Sequence, residues 1–158
     1  DVAKIYMDTY GIISIGLRFF TVYGEWGRPD MLMMKYMLAK KNKKNFELNN
    51  KGNHYRDFTY IKDVIFILMK LIFTKHSKNN IYNICSSKPI KVVEILKKLD
   101  KSYGKPKIIH KKRLSIEVLK THGSNFQIKK ALKINKFTSI DLGIKNLVEW
   151  AKSNLDKI

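Results

Sequence analysis

The stretch GLRFFTVYGEWGRPDM, residues 16–31, decides the fold class of this chain. Its first part belongs to residues 12–20, which are rich in β-branched and aromatic side chains and predict a buried strand. A loop containing two glycines follows over residues 23–29. From Pro29, a favoured first residue of helices, a helix is predicted to run to about Lys41. A buried strand joined to a helix in this way is a building unit of α/β proteins.

The alternation continues on both sides of this stretch. Further helices are predicted at residues 1–10, 60–73, 92–103, 125–132 and 141–154, and further strands at residues 46–48, 81–84 and 107–110. Thr59 is the predicted N-cap of the helix over residues 60–73. The order predicts an α/β fold. No Gly-x-Gly-x-x-Gly turn follows any predicted strand, so we do not expect the first, nucleotide-binding half of a dinucleotide fold in this chain.

Length and composition fit one globular domain of 158 residues, 44% of them apolar. The net charge of +19 comes from 28 Lys and only 4 Arg. Because nucleic-acid recognition favours Arg, we interpret the charge as a solvated surface and expect no nucleic acid partner. No apolar run is long enough to span a membrane. Cys85 is the single cysteine, which fits a reducing compartment, and we expect a cytoplasmic protein.

Two segments carry a family resemblance: residues 16–31 and YRDFTYIKD, residues 55–63. Together they resemble the NAD-dependent epimerases and dehydratases of the extended short-chain dehydrogenase family. TVYG and WGRPDM, within residues 21–31, are most similar to UDP-glucuronate 4-epimerases. The resemblance implies that residues 1–158 form the C-terminal part of a Rossmann-like NAD(P)-binding fold, with its small substrate-binding α/β subdomain. The N-terminal NAD-binding part is expected to lie outside this chain.

The resemblance also assigns residues to the cofactor and the sugar. Phe20 would lie beside the nicotinamide of NAD, whereas Phe19 is expected to be core. Thr21 would lie beside the hexose, and Arg28 would face the C6 carboxylate of a uronic sugar. The guanidinium group suits that task because it binds a carboxylate with two parallel hydrogen bonds.

The nucleotide end of the substrate is assigned in the same way. Arg56 would contact the diphosphate, and Asp57 would orient Arg56 or cap the next helix. Leu48 and Asn49 would lie alongside the uracil, although the family usually has an aromatic residue at Asn49. Glu117 would bind the ribose hydroxyls, where the family usually has an aspartate. Glu25 is a further departure, since a proline is usual there.

The chemistry implied by the resemblance is hydride transfer to tightly held NAD, rotation of the 4-keto sugar and return of the hydride. A Tyr-x-x-x-Lys pair drives it, because the lysine lowers the tyrosine pKa. We expect that pair to lie before residue 1, so this chain should contain no catalytic residue. Tyr36 with Lys40 and Tyr103 with Lys107 match the spacing, but chance predicts such matches and we reject both. The full-length protein is expected to be a homodimer that binds a UDP-sugar.

Other functions stay open at this stage. The same family includes other UDP-hexose epimerases and nucleotide-sugar dehydratases. Outside enzymatic function, the chain could be an inactive truncated remnant or a basic non-catalytic binding protein. We take a UDP-glucuronate 4-epimerase as the leading hypothesis because of Arg28.

Overall fold

The structure, a computed structural model, describes residues 2–113, 115 and 118–158. The helices are α1 (Val2–Tyr10), α2 (Leu32–Lys41), α3 (Ile61–Phe73), α4 (Val92–Ser102), α5 (Phe126–Leu132) and α6 (Ile140–Asn154). The strands are β1 (Ile15–Phe19), β2 (Thr21–Tyr23), β3 (Asn45–Asn49), β4 (Tyr55–Tyr60), β5 (Asn80–Ile84), β6 (Pro89–Lys91) and β7 (Lys107–Lys111). The predicted α/β class is confirmed. Within the described residues, no helix has the length and apolar character needed to cross a membrane.

The strands form three small sheets. β1 and β5 are parallel, with Ile15 opposite Asn80 and Phe19 opposite Ile84. In the second sheet β4 lies between β2, which is parallel to it, and β6, which is antiparallel. β3 and β7 form a third, parallel pair. Helices connect the members of each parallel pair, as parallel strands require a long crossover.

The larger hydrophobic cluster, here called the first core, lies between α2, α4, α6 and the strands β2, β3 and β4. On α4, Ile95 and Leu99 are completely buried, because apolar residues four positions apart lie on the same face of a helix. Tyr36 and Met37 of α2 are also inaccessible to solvent. The Tyr36 hydroxyl donates a hydrogen bond to Asp100 of α4, so the two helices are also joined by a polar contact.

A smaller cluster, the second core, lies between the β1–β5 sheet and the helices α3 and α5. Ile67 of α3, Ile84 of β5 and Ile128 of α5 are almost completely buried there. Ile15 and Leu17 of β1 pack against the same cluster but are only partly buried. The β1–β5 sheet is therefore packed against helices on this side.

The strand predicted over residues 12–20 is present but shorter, as β1 (Ile15–Phe19), and β2 was not predicted, because the chain changes sheets at Phe20. The Phe20 amide donates to the Ile84 carbonyl of β5 at 3.3 Å, and the Val22 amide donates to the Phe20 carbonyl at 2.9 Å. This tight turn ends β1 and begins β2, which pairs with β4 instead. Neither β4 nor β6 was predicted from the sequence.

The predicted N-cap at Thr59 is also wrong. Thr59 lies opposite Val22 in the β2–β4 pair, so its backbone stays extended and the helix begins only at Ile61. Its side chain is completely buried, and its hydroxyl has no hydrogen-bond partner within the described residues. Tyr60 holds the cap position without a side-chain bond.

Candidate functional site

Thr21 and Arg28 line the same cavity of about 220 Å³. The cavity lies where β2 ends and the chain passes through residues 24–31, here called the 24–31 loop, before α2 begins. Its other walls are mostly apolar and include Met31 and Leu147. The sequence assigned both Thr21 and Arg28 to the sugar, and the structure brings them together.

The 24–31 loop begins with a close contact to α3. Gly24 has a φ of +145°, and a Cβ atom there would lie 2.2 Å from Cγ2 of Ile61, so only glycine fits. The Glu25 carboxylate then accepts a hydrogen bond from the Tyr60 hydroxyl at 2.8 Å and pairs with the Lys62 ammonium at 3.2 Å. Both partners lie at the junction of β4 and α3, which holds the start of the loop against it.

The Glu25 carboxyl group is charged in this setting. Partial burial would raise its pKa, but a hydrogen bond from its own backbone amide, the Tyr60 hydroxyl and Lys62 outweigh burial and lower the pKa. Burial and the Glu25 carboxylate together raise the pKa of Tyr60, so the hydroxyl stays a donor. The contact is therefore a charge-assisted hydrogen bond, which is stronger than a neutral one.

Trp26 fixes the middle of the loop on its other side. Its backbone has a φ of +56°, an uncommon conformation for a residue with a side chain. Its ring packs edge-on against Trp150 of α6, with ring centroids 5.1 Å apart. The loop therefore has anchors on β4, α3 and α6.

Arg28 forms a bidentate ion pair with Asp30. Its Nε donates to Oδ1 at 3.0 Å and its Nη2 donates to Oδ2 at 2.6 Å. The hydrogen bonds raise the pKa of Arg28 and lower that of Asp30, so both stay charged. The Arg28 side chain is 76% exposed, and its Nη1 has no partner within the described residues.

Phe20 lies half-buried at the turn between β1 and β2, against Gly123. A Cβ atom at Gly123 would lie 2.5 Å from Cζ of Phe20 and 2.7 Å from Sγ of Cys85, so the ring needs a glycine there. Phe19 was expected to be core, but it is 50% exposed, because its side chain projects from the last residue of β1.

Arg56 lies on β4, close to Thr21 along the second sheet. Thr21 is opposite Phe58, so Arg56 is offset by two residues, or about 7 Å along the strand. Nη1 of Arg56 donates to the Tyr55 carbonyl at 2.8 Å and to the Val118 carbonyl at 2.7 Å. These bonds leave Nε and Nη2 without a partner within the described residues.

Asp57 neither orients Arg56 nor caps the next helix, so that expectation is wrong. Its fully buried carboxylate accepts hydrogen bonds from the Ser86 amide at 3.0 Å, the Ser86 hydroxyl at 2.7 Å and the Gly123 amide at 3.2 Å. The reason is strand alternation, since Asp57 faces away from Arg56. Asp57 therefore ties β4 to the loop after β5 and to the segment that supports Phe20.

The structure shows less about the residues assigned to the uracil and the ribose. Leu48 and Asn49 end β3, opposite His110 and Lys111 of β7. The Leu48 side chain is buried in the first core, so a ligand could reach only its backbone, whereas Asn49 is partly exposed. Glu117 lies outside the described residues.

A wider cleft of about 780 Å³ lies elsewhere, between the loop after β5 and the start of α5. It is lined by none of the residues assigned to the sugar or nucleotide. The smaller cavity is the candidate site because Thr21 and Arg28 both line it. The part of the chain that the structure describes contains no group of three or more His, Cys, Asp or Glu side chains that could hold a metal ion.

Two structural roles at the site were missed from the sequence. In the sequence Glu25 is only a departure from a usual proline, and Trp26 is one residue of the WGRPDM segment. The partner of Glu25 is 35 residues away and that of Trp26 is on α6, so no local pattern reveals either contact. The unusual residue at position 25 was the one available signal.

Known proteins match this chain over nearly its whole length. A family model described as the NAD dependent epimerase/dehydratase family matches residues 1–85. An uncharacterized protein of Methanocaldococcus jannaschii is 38% identical over 98% of this chain and 47% of its own length. UDP-glucuronate 4-epimerase 5 of Arabidopsis thaliana is 34% identical over 94% of this chain and 38% of its own length.

A solved structure gives the same result in three dimensions. The UDP-glucuronic acid 4-epimerase of Bacillus cereus, in complex with UDP-glucuronic acid and NAD, matches with a TM-score of 0.84 and 25% identity. The match covers 96% of this chain and 49% of that protein. The chain thus spans about half the length, or less, of these relatives. With the family model matching more than half of its residues, this chain belongs to the NAD-dependent epimerase/dehydratase family.

Proposed function

We propose that this chain is the nucleotide-sugar-binding part of an NAD-dependent UDP-sugar 4-epimerase that converts UDP-glucuronate to UDP-galacturonate. The observation that carries the proposal is the cavity lined by Thr21 and Arg28. Arg28 already binds a carboxylate with two parallel hydrogen bonds, which is the contact that the C6 carboxylate of a uronic sugar requires. The fold and the relatives of the chain support the same proposal.

The assigned residues contact successive parts of the sugar nucleotide. Thr21 and Arg28 bind the uronic sugar, and Arg56 binds the diphosphate through Nε and Nη2, which have no partner within the described residues. Asn49 and the backbone of Leu48 lie along the uracil, and Glu117 binds the ribose. These contacts fix the sugar nucleotide between the second sheet and the end of β3, so that the reacting C4 is held beside the cofactor.

Phe20 is the contact of this chain with NAD. Gly123 leaves room for its ring, and the partial exposure of the ring leaves apolar surface for the nicotinamide, so the residues fit the cofactor. Bound NAD supplies the hydride acceptor. The Tyr-x-x-x-Lys pair and most of the NAD site belong to an N-terminal part that precedes residue 1. We further propose that the complete protein is a homodimer.

The test is to express a protein that extends upstream of this chain and to follow UDP-glucuronate by chromatography. Formation of UDP-galacturonate is the expected result. An upstream sequence without a glycine-rich turn and a Tyr-x-x-x-Lys pair, or a folded protein that leaves UDP-glucuronate unchanged, would contradict the proposal.

An epimerase of neutral UDP-hexoses is the second candidate. It is favoured by one observation: Asp30 already satisfies one edge of the Arg28 guanidinium group. The same protein should then convert UDP-glucose faster than UDP-glucuronate. Comparing the two substrates at equal concentration decides between the candidates.

A further inference from the structure

The ion pair between Arg28 and Asp30 uses a particular edge of the guanidinium group. Asp30 binds Nε and Nη2, so Nη1 and the second hydrogen of Nη2 remain for another acceptor. Arg28 lines the cavity that contains Thr21, but Asp30 does not. The carboxylate therefore holds the side chain from outside the cavity.

The backbone makes this arrangement local and rigid. The Met31 amide donates to the Arg28 carbonyl at 3.1 Å, which closes a turn of four residues. Pro29 occupies the second position of that turn, where its fixed φ is favourable. Gly27 precedes the turn, and a Cβ atom there would lie 3.1 Å from the Gly24 carbonyl oxygen. Asp30 is thereby kept two residues from Arg28, within reach of its guanidinium group.

We propose that Asp30 is a positioning residue that holds Arg28 by its Nε edge, so that Nη1 faces the cavity and selects sugars that carry a carboxylate. This inference rests on the proposed function of the cavity. Arg28 has a long, rotamer-rich side chain, and fixing it before the ligand arrives removes an entropic cost from binding. Asp30 acts through Arg28 and does not touch the sugar.

The ion pair between Arg28 and Asp30 should affect substrate binding and not the stability of the fold. Its side chains are 76% and 63% exposed, and exposed ion pairs contribute little to the stability of a fold. Asp30→Asn keeps the size of the side chain but removes its charge. In the complete protein we expect Asp30→Asn to raise the KM for UDP-glucuronate about threefold to tenfold, the range for one immobilised side chain, with kcat little changed.

The controls separate positioning from a general disturbance. KM for UDP-glucose should stay unchanged in Asp30→Asn, because a neutral sugar does not use the charge of Arg28. Asp30→Glu should restore part of the preference for UDP-glucuronate. Asp141→Asn removes an exposed ion pair to Lys98 on α4 and should leave both KM values unchanged.

Three results would overturn the inference. An equal rise in KM for both sugars would mean that Asp30 only supports the loop. Tighter binding of UDP-glucuronate by Asp30→Asn would mean that Asp30 competes with the sugar for Arg28. A wild-type protein that shows no preference for UDP-glucuronate over UDP-glucose would overturn the proposed function itself, which distinguishes that failure from the first two.

Discussion

The first core and the region around α1 and β1 are built in opposite ways. The first core encloses α2, α4 and α6 so completely that Tyr36, Met37, Ile95 and Leu99 have no exposed surface. By contrast, α1 has no buried residue, and within the described residues β1 pairs with a single strand, β5. The first core buries its apolar side chains within this chain, whereas the region around α1 and β1 exposes apolar side chains that suit contact with a partner.

The exposed surface is strongly apolar. It includes side chains of α1 that are 48–70% exposed, namely Val2, Ile5, Tyr6 and Tyr10, together with Phe19 of β1 and Ile81 of β5 at 50%. Large apolar side chains exposed in such number mark an interface, and an unpaired strand edge can accept another strand. We expect the proposed N-terminal, NAD-binding part to cover this surface. The part of the chain that carries the candidate site is therefore the part that buries its own apolar side chains.

The two regions should differ most in how an isoleucine-to-alanine substitution changes the free energy of unfolding. Ile95→Ala in the first core should lower the free energy of unfolding by about 2–5 kcal/mol, because it leaves a cavity in a closed core. Ile5→Ala on α1, where the side chain is 59% exposed, should change it by less than about 0.5 kcal/mol in the 158-residue chain. Urea denaturation of both variants measures the difference.

The same two substitutions should behave differently in the complete protein. If the N-terminal part covers α1, Ile5→Ala should become clearly destabilising there while the effect of Ile95→Ala stays similar. Equal losses in the free energy of unfolding from the two substitutions in the 158-residue chain would contradict the distinction between the regions.

The next effect concerns Asp57, which joins the two regions. Asp57→Asn should cost about 1.5–3 kcal/mol, since it weakens hydrogen bonds from Ser86 and Gly123 to a buried charge. Asp156→Asn is the matched control, because its pair with Lys41 is exposed and should contribute less than about 1 kcal/mol. Thermal unfolding should also broaden in Asp57→Asn if the two regions become less coupled. An effect no larger than that of the control would contradict this role.

The smallest effect is a pH dependence at Glu25. Because the folded state lowers the pKa of Glu25, its contribution to stability is fully present above the ordinary glutamate pKa of about 4.3 and is lost as the pH falls through the lowered pKa. The stability difference between wild type and Glu25→Gln should therefore shrink between pH 6 and acid conditions. Denaturation at a series of pH values checks this, and a difference that grows as the pH falls would refute it.

The sequence predicted the helices better than the strands for a physical reason. α3, α4 and α6 have apolar positions at helical spacing, which is a local pattern. β4 contains Arg56 and Asp57, whose charges hide the strand pattern. Asp57 is buried only because Ser86 and Gly123, 29 and 66 residues away, supply its hydrogen bonds. No window of sequence contains that information.

The candidate site also has a part that could be predicted from the sequence and a part that could not. The resemblance brought out Thr21 and Arg28, and the structure places both at one cavity. Two contacts hold the 24–31 loop: the hydrogen bond between Glu25 and Tyr60 and the ring contact between Trp26 and Trp150. Both depend on distant elements and could not be predicted. The assignment of every one of these residues to a ligand stays a prediction, for Thr21 and Arg28 as for Phe20, Leu48, Asn49, Arg56 and Glu117.

Calorimetric titration of the complete protein with UDP-glucuronate and with UDP tests the central claim most directly. The claim is that Arg28 binds the uronic sugar and Arg56 binds the diphosphate. We predict that Arg28→Ala weakens binding of UDP-glucuronate and leaves binding of UDP unchanged, whereas Arg56→Ala weakens both. Equal losses for the two ligands in Arg28→Ala, or unchanged binding of UDP in Arg56→Ala, would contradict it.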